Sequence, residues 1–229
     1  MLLTWCRSSI GKKALMAASG LALTAFVFVH LLGNLMIYLG PNALNAYARK
    51  LRELGPLLWL ARGLLVGAAL LHVWTSVSLA RENRAARPVP YAVRRTRETT
   101  RAARTMMLSG VLALAYLVYH LLHFTFRVTH PSISHLRDSL GRHDVYAMVV
   151  LSFRQWPISL AYVLGVACLS LHLSHGMASA FQSLGFSDER TMPRLARAGR
   201  ILALAMFIGY ASIPVAVWLG LIRLPGRSG

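Results

Sequence analysis

Five long apolar runs, separated by short polar segments, dominate the chain. They cover residues 14–39, 57–80, 106–129, 156–181 and 199–222. Each run is near or above the roughly 20 residues that an α-helix needs to cross the hydrocarbon core of a bilayer. The polar segments hold turn-forming residues, such as Gly40, Pro41 and Asn42 after the first run. The pattern predicts an all-α integral membrane protein with five transmembrane helices in a single membrane domain, residues 1–229.

The composition argues against the alternative, a large soluble protein with buried helices. The chain is 56% hydrophobic and only 14% charged, whereas about a quarter of the residues of an ordinary soluble domain are charged. Five buried helices would also need far more polar surface around them than this chain has. We therefore expect membrane lipid to surround the helices.

The charge of the chain is strongly basic, with 25 Lys and Arg residues against 7 Asp and Glu. Most of the basic residues lie between the apolar runs, which is typical of membrane proteins and does not predict a nucleic-acid partner. Fifteen of the 25 lie on the side of the N-terminus, which predicts that the N-terminus is inside. Segment 81–105 holds eight arginines, and we expect a cytoplasmic loop that touches anionic lipid, docks a partner, or does both.

Histidines are the candidate functional residues. Three of the nine, His130, His135 and His143, follow the third run and are most simply solvated. The other six lie inside apolar runs: His30, His72, His120, His123, His172 and His175. For any single one, a neutral histidine bonded to a neighbouring helix is an equally good interpretation. Histidines in four helices, with almost no carboxylates beside them, favour a metal bound by neutral nitrogen over a proton relay.

Depth in the membrane sorts four of these histidines into pairs. At a rise of 1.5 Å per residue, His30 and His120 lie about 21–24 Å from the inner side, and His72 and His172 about 12–14 Å from it. Two histidines at one level can bind a haem iron from both faces, whereas a zinc or copper site would need three or four ligands. We predict two haems in a four-helix bundle of the first four helices. The inner pair is His72 with His172, and the outer pair is His30 with His120.

Five segments in order carry a resemblance to a known family. They are SSIGKKALMAASGLALTAFVFVHLLGNL (8–35), GPNALNAYARKL (40–51), RENRAARPVPYA (81–92), YHLLHFTF (119–126) and HLSHGMASAFQSLG (172–185). Together they closely resemble the cytochrome b558 subunit family of succinate dehydrogenase and fumarate reductase. The resemblance implies that His30, His72, His120 and His172 are the haem axial ligands. His123 and His175 would then be neighbours of the haems or packing residues.

The same resemblance implies a function. The chain would be the cytochrome b membrane anchor of a succinate:quinone oxidoreductase, an electron-transfer subunit with no catalytic residue and no succinate site of its own. It would carry two b haems, with a quinone, menaquinone in typical dihaem members, as substrate. Its partners would be an iron–sulfur subunit and a flavoprotein subunit with FAD, in a bacterial inner (cytoplasmic) membrane.

Two departures and two alternatives accompany this expectation. Ser170 stands where some dihaem relatives carry an acidic residue, and the second run begins with Arg62 where an acid would suit a quinone, so neither proton coupling nor a quinone residue is implied. One alternative is a dihaem cytochrome b subunit of another respiratory dehydrogenase. The other is a haem-free transporter that uses histidines for proton coupling.

Overall fold

The described residues of a computed structural model, Cys6, 8–86 and 105–225, form eight α-helices and no β-strand. Helix α1 (Ser9–Leu35) continues as a 3-10 helix, Met36–Leu39. The polar helix α2 spans Pro41–Glu53, and α3 spans Pro56–Ala85. Helix α4 (Met106–His120) continues as a π-helical turn, Leu121–Thr125. The remaining helices are α5 (Pro131–Ser134), α6 (Val145–Phe153), α7 (Trp156–Ser183) and α8 (Met192–Trp218).

The prediction of five membrane-spanning helices is confirmed: α1, α3, α4, α7 and α8 are each long and apolar enough to cross a membrane. Several boundaries differ from the prediction: the first span begins at Ser9 rather than 14, the second ends at Ala85 rather than 80, and the fifth ends at Trp218 rather than 222. The third span ends at Thr125 rather than 129, because Arg127 has φ 60°, a left-handed conformation that an α-helix does not accept. The fifth begins at Met192 rather than 199, with a proline in its first turn, where proline is well tolerated.

Two helices that the pattern did not predict close one end of the bundle. Helix α2 has Pro41 in its first turn and Lys50 and Arg52 in its last turn. The positive charges of the two basic residues interact favourably with the negative end of the helix dipole. Helix α6 starts at Asp144, whose side chain accepts a hydrogen bond from the Ala147 amide at 2.9 Å. We call α2, α5, α6 and the segment 126–144 the capped end. The opposite end, where α1 begins and α3 ends, is the loop end.

A buried asparagine and an apolar cluster hold the capped end together. Asn45 of α2 is 1% exposed, donates to Asp144 at 2.9 Å and to Asp138 at 3.3 Å, and accepts from the Tyr146 amide at 3.0 Å. Beneath it lies a core cluster that joins the 3-10 helix, α2, α6, α7 and α8. Its members include Ile37, Leu44, Tyr146, Val150, Phe153, Ile158, Tyr162, Ile213 and Val217.

The spanning helices pack as two pairs. Helix α3 packs on α1, and α4 packs on α7; α1 and α7 contact each other, and α8 covers both. A second core cluster, with Leu31, Leu173, Ala203 and Met206, joins α1, α7 and α8. By contrast, neither α3 with α7 nor α1 with α4 makes an extensive contact in the described ranges. At the loop end, an ion pair between Lys12 and Glu82 joins α1 to α3. Residues 87–104 of the predicted basic loop lie outside the described residues.

Candidate functional site

The four candidate ligands come together as two pairs. The ring centroids of His72 and His172 are 6.2 Å apart, with an angle of 83° between the ring planes. Those of His30 and His120 are 5.9 Å apart, also at 83°. Each pair joins two helices that barely contact each other otherwise, α3 with α7 and α1 with α4. The rings therefore face each other across space between the helices.

Hydrogen bonds orient the rings of the loop-end pair. The Nδ1 atom of His72 is 3.0 Å from the carbonyl oxygen of Met16, and the backbone of Met106 interacts with the ring of His172. A carbonyl oxygen only accepts, so Nδ1 of His72 carries the proton and donates it. The other ring nitrogen, Nε2, is then left with a lone pair, which is the state that a metal ligand requires.

A serine and a glycine lie against each histidine of the loop-end pair. The Oγ atoms of Ser19 and Ser109 are each 3.4 Å from Nδ1 of His72 and His172, respectively. A Cβ atom added to Gly20 would lie 2.9 Å from Cε1 of His72. One added to Gly110 would lie 3.1 Å from Cε1 of His172. The two glycines therefore let the histidines approach the neighbouring helix more closely than alanine would.

The capped-end pair lies among aromatic rings instead. His30 stacks on Phe26 at 5.3 Å, and Tyr210 of α8 is 6.4 Å away. His120 contacts Tyr116 at 6.1 Å and Tyr162 at 6.0 Å between ring centroids. The Nδ1 atom of His120 is buried and has no hydrogen-bond partner among the described residues. Such an atom costs about 1–3 kcal/mol unless a bound group compensates it.

The two pairs lie at different levels along the bundle. His72 lies beside Gly20 of α1, and His30 follows Gly20 by ten residues on the same helix. His172 and His120 have the same relation to Gly110 of α4. Ten residues of α-helix rise about 15 Å, so the two levels are about 15 Å apart. Counting along the sequence predicts a distance of roughly 10 Å between them. The His30/His120 pair lies closer to the capped end.

These pairs fit the axial positions of a haem iron. An imidazole nitrogen binds such a metal at about 2.0–2.1 Å, and the ring centre lies about 1.1 Å farther out, so two axial rings have centres about 6.2–6.4 Å apart. The 6.2 Å of the loop-end pair matches this spacing, and the 5.9 Å of the capped-end pair is slightly shorter than it. A porphyrin supplies the other four nitrogens, so each pair offers as many ligands as the iron needs. In the described ranges, no group of three or more His, Cys, Asp or Glu residues forms a metal site.

The two duplicated histidines have different surroundings. His123 is fully buried on the π-helical turn, with Tyr162 Oη at 3.0 Å from its Nδ1 and Ser152 Oγ at 3.1 Å from its Nε2. Both of its nitrogens therefore have partners within the protein. A π-helical turn is rare and is often found at functional sites; here it follows directly after His120. His175 is half-buried one turn after His172.

The glycines near the candidate ligands have different neighbours. Gly33 lies against Tyr47, because an added Cβ would be 2.6 Å from its hydroxyl oxygen, and so it accommodates a side chain of the capped end. Gly110 faces His172 of another helix rather than a space beside His120. An added Cβ at Gly176 would meet only Met106, at 3.9 Å.

The loop histidines are not simply solvated either. His143 is half-buried, and its Nε2 lies 3.4 Å from the guanidinium of Arg127. Burial, then the charges of Arg52 and Arg127, lower the pKa of His143 to about 4. The ring of His130 contacts that of His123 at 5.1 Å. Only His135 of the three is exposed.

An internal repeat is the signal that sequence reasoning missed. Four residues of α1 recur 90 positions later in α4 with the same spacing: Met16, Ser19, Gly20 and His30, then Met106, Ser109, Gly110 and His120. The first three residues of the first set surround His72, and the first three of the second set surround His172.

Comparisons with protein-family models, curated proteins and solved structures find no match for the chain.

Proposed function

We propose that the chain is the cytochrome b membrane-anchor subunit of a succinate:quinone oxidoreductase, carrying two b haems. The observation that carries this proposal is the spacing of the two histidine pairs, which suits axial ligation between helices that do not otherwise pack. The resemblance of five segments to the cytochrome b558 subunits of succinate dehydrogenase and fumarate reductase supports the choice of enzyme.

The residues of this chain hold and tune such groups. A bound b haem supplies reversible one-electron transfer. The carbonyl of Met16 fixes the tautomer and the orientation of His72, and makes its free nitrogen a stronger donor. Ser19 and Ser109 add a polar atom beside each ring of the loop-end pair, whereas aromatic rings surround the capped-end pair. The apolar helices exclude water from both levels, which favours the less charged state of each centre.

The proposed complex defines the two ends of the path of electrons through the chain. The iron–sulfur subunit docks at the loop end, next to the His72/His172 pair, and the flavoprotein subunit with FAD carries the succinate chemistry. Quinone, as menaquinone, exchanges electrons within the membrane. The N-terminus is inside, in a bacterial cytoplasmic membrane, as the distribution of Lys and Arg favours.

A reduced-minus-oxidised absorbance spectrum of the purified chain tests the haem proposal. We expect b-type bands and a redox titration with two components. Absence of b-type bands would favour the haem-free transporter. Reduction of the bands by succinate in the complex as purified separates the proposed enzyme from a dihaem subunit of another dehydrogenase, which would respond to a different electron donor.

Single substitutions test the assignment of the ligands. His172→Leu removes a ligand of the loop-end pair and is expected to abolish one redox component and electron entry from the iron–sulfur subunit. His120→Leu is expected to abolish the other component while the first is still reduced. His175→Leu is the matched control, since it removes a half-buried imidazole from the same helix. Loss of a haem from the His175 variant, with both retained in the His172 variant, would overturn the assignment.

A further inference from the structure

A strongly cationic pocket lies at the capped end, away from both histidine pairs. Its volume is about 510 Å³, within the range of small-molecule sites. It is lined by residues from two parts of the chain that lie far apart in the sequence, α2 and the segment 126–144. They include Arg49, Arg52, Arg127, Arg137, Arg142 and His143.

Most of this positive charge has no carboxylate to balance it. Arg49 pairs with Glu53, and Arg142 pairs with Asp138, each at 2.7 Å. Arg52, Arg127 and Arg137 form no ion pair with a carboxylate among the described residues. Like charges held together in this way repel each other, and a bound anion would relieve that repulsion.

Arg52 lies among other positive charges. Partial burial, followed by the charges of Arg127 and Arg62, lowers the pKa of Arg52. Arg127 also holds a left-handed backbone conformation, the only non-glycine residue with positive φ in the described ranges. Conformations of this kind cost free energy and are concentrated at functional sites.

The pocket lies at the depth of lipid headgroups. Arg127 follows the last residue of the third span by two positions, and Arg52 precedes the start of α3 by four. Exposed apolar side chains accompany it: Leu140 lines the pocket and is 67% exposed, and Phe126 and Val128, the chain neighbours of Arg127, are 63% and 61% exposed. Acyl chains can cover such side chains while the headgroup reaches the arginines.

We propose that this pocket binds a phosphate group, supplied by the headgroup of an anionic phospholipid of the leaflet at the capped end. The guanidinium of arginine presents parallel N–H donors that match the oxygens of a phosphate. A free phosphate ion would use the same contacts, but exposed Leu140 in the lining and the exposed apolar neighbours of Arg127, next to the end of a spanning helix, favour a ligand with acyl chains. This site does not depend on the proposed haems, because it contains none of the four paired histidines.

Binding of short-chain lipids to the purified full-length protein, with any subunits that accompany it, tests the proposal. The probes are dioctanoyl phosphatidylglycerol, dioctanoyl phosphatidylcholine and inorganic phosphate, measured by calorimetry after removal of bound lipid. Arg52→Gln removes one unpaired cation from a position in the last turn of α2, which glutamine tolerates well. Arg154→Gln is the matched control, since Arg154 is exposed at the same end but does not line the pocket.

We expect phosphatidylglycerol to bind more tightly than phosphatidylcholine, and Arg52→Gln to weaken its binding about tenfold, with no change in Arg154→Gln. Arg137→Gln is expected to weaken binding as well. If inorganic phosphate binds as tightly as phosphatidylglycerol and with the same dependence on Arg52, the source is a soluble anion and the lipid assignment is wrong. Equal affinity for both lipids, or equal effects of the Arg52 and Arg154 substitutions, would overturn the site.

Discussion

Replacing Gly20 by alanine perturbs the loop-end pair without removing any candidate ligand. The added Cβ would lie 2.9 Å from Cε1 of His72, while ordinary contacts begin at 3.4 Å. The ring must therefore recede from α1 by about 0.5 Å. That movement stretches the bond from Nδ1 to the carbonyl of Met16, now 3.0 Å, beyond normal hydrogen-bond length.

The magnitude follows from two opposing terms. A buried ring N–H that loses its acceptor costs about 1–3 kcal/mol. Alanine in place of glycine within a helix returns about 0.5–1 kcal/mol. The difference is about 0–2.5 kcal/mol. We expect a value near its middle, about 1.3 kcal/mol, which corresponds to roughly tenfold weaker retention of a group bound by His72. Gly110→Ala should act on the same pair through His172, more weakly because its contact is longer, at 3.1 Å.

Thermal inactivation and the ratio of haem to protein, measured with a redox titration, give the readout. Gly63→Ala is the control, because Gly63 lies on the spanning helix α3 and an added Cβ there would meet nothing within 4 Å. Only the redox component assigned to the loop-end pair should change in Gly20→Ala. If Gly20→Ala matches Gly63→Ala in stability, haem content and both potentials, the inferred contact between Gly20 and His72 does not control the site.

Three further predictions concern the two ends of the molecule. Asn45→Ala removes three buried hydrogen bonds of the capped end and should destabilise the protein by about 2–4 kcal/mol, seen as a lower thermal midpoint; an unchanged midpoint would contradict the role given to Asn45. Burial, and then Arg52 and Arg127, lower the pKa of His143 to about 4. As the pH falls below 6.5, His143 is therefore protonated in the unfolded chain before it is protonated in the folded chain, so the free energy of unfolding should fall between pH 6.5 and 4. His143→Gln should remove that part of the fall. Replacing Arg94, Arg95 and Arg97 together by Gln should reduce co-purification of the soluble subunits of the proposed complex, most clearly at low salt, where the attraction is least screened; an intact complex with unchanged salt dependence would make the loop a topology signal only.

Sequence periodicity was a good guide to the spans and a poor guide to their ends. The bilayer imposes the length and the apolar character of a spanning helix, so five spans could be recognised from the lengths of the apolar runs alone. The end of the third span depends on the backbone of Arg127, which local polarity does not reveal. Helices α2 and α6 were missed because Asn45 secures them through bonds to residues 93 to 101 positions away.

The sequence by itself determined that the candidate histidines fall into two levels, because the helical rise per residue is constant and each helix crosses in one direction. The distance between the levels needed the tertiary structure. Which helices are neighbours, and how each ring is turned, was decided only by the tertiary structure. The contact of Gly20 with His72 depends on α3 packing against α1, and that of Gly110 with His172 on α4 packing against α7. Apolar helix surfaces have little directional preference, so the match of their side chains in three dimensions, rather than hydrophobic pattern, selects these neighbours.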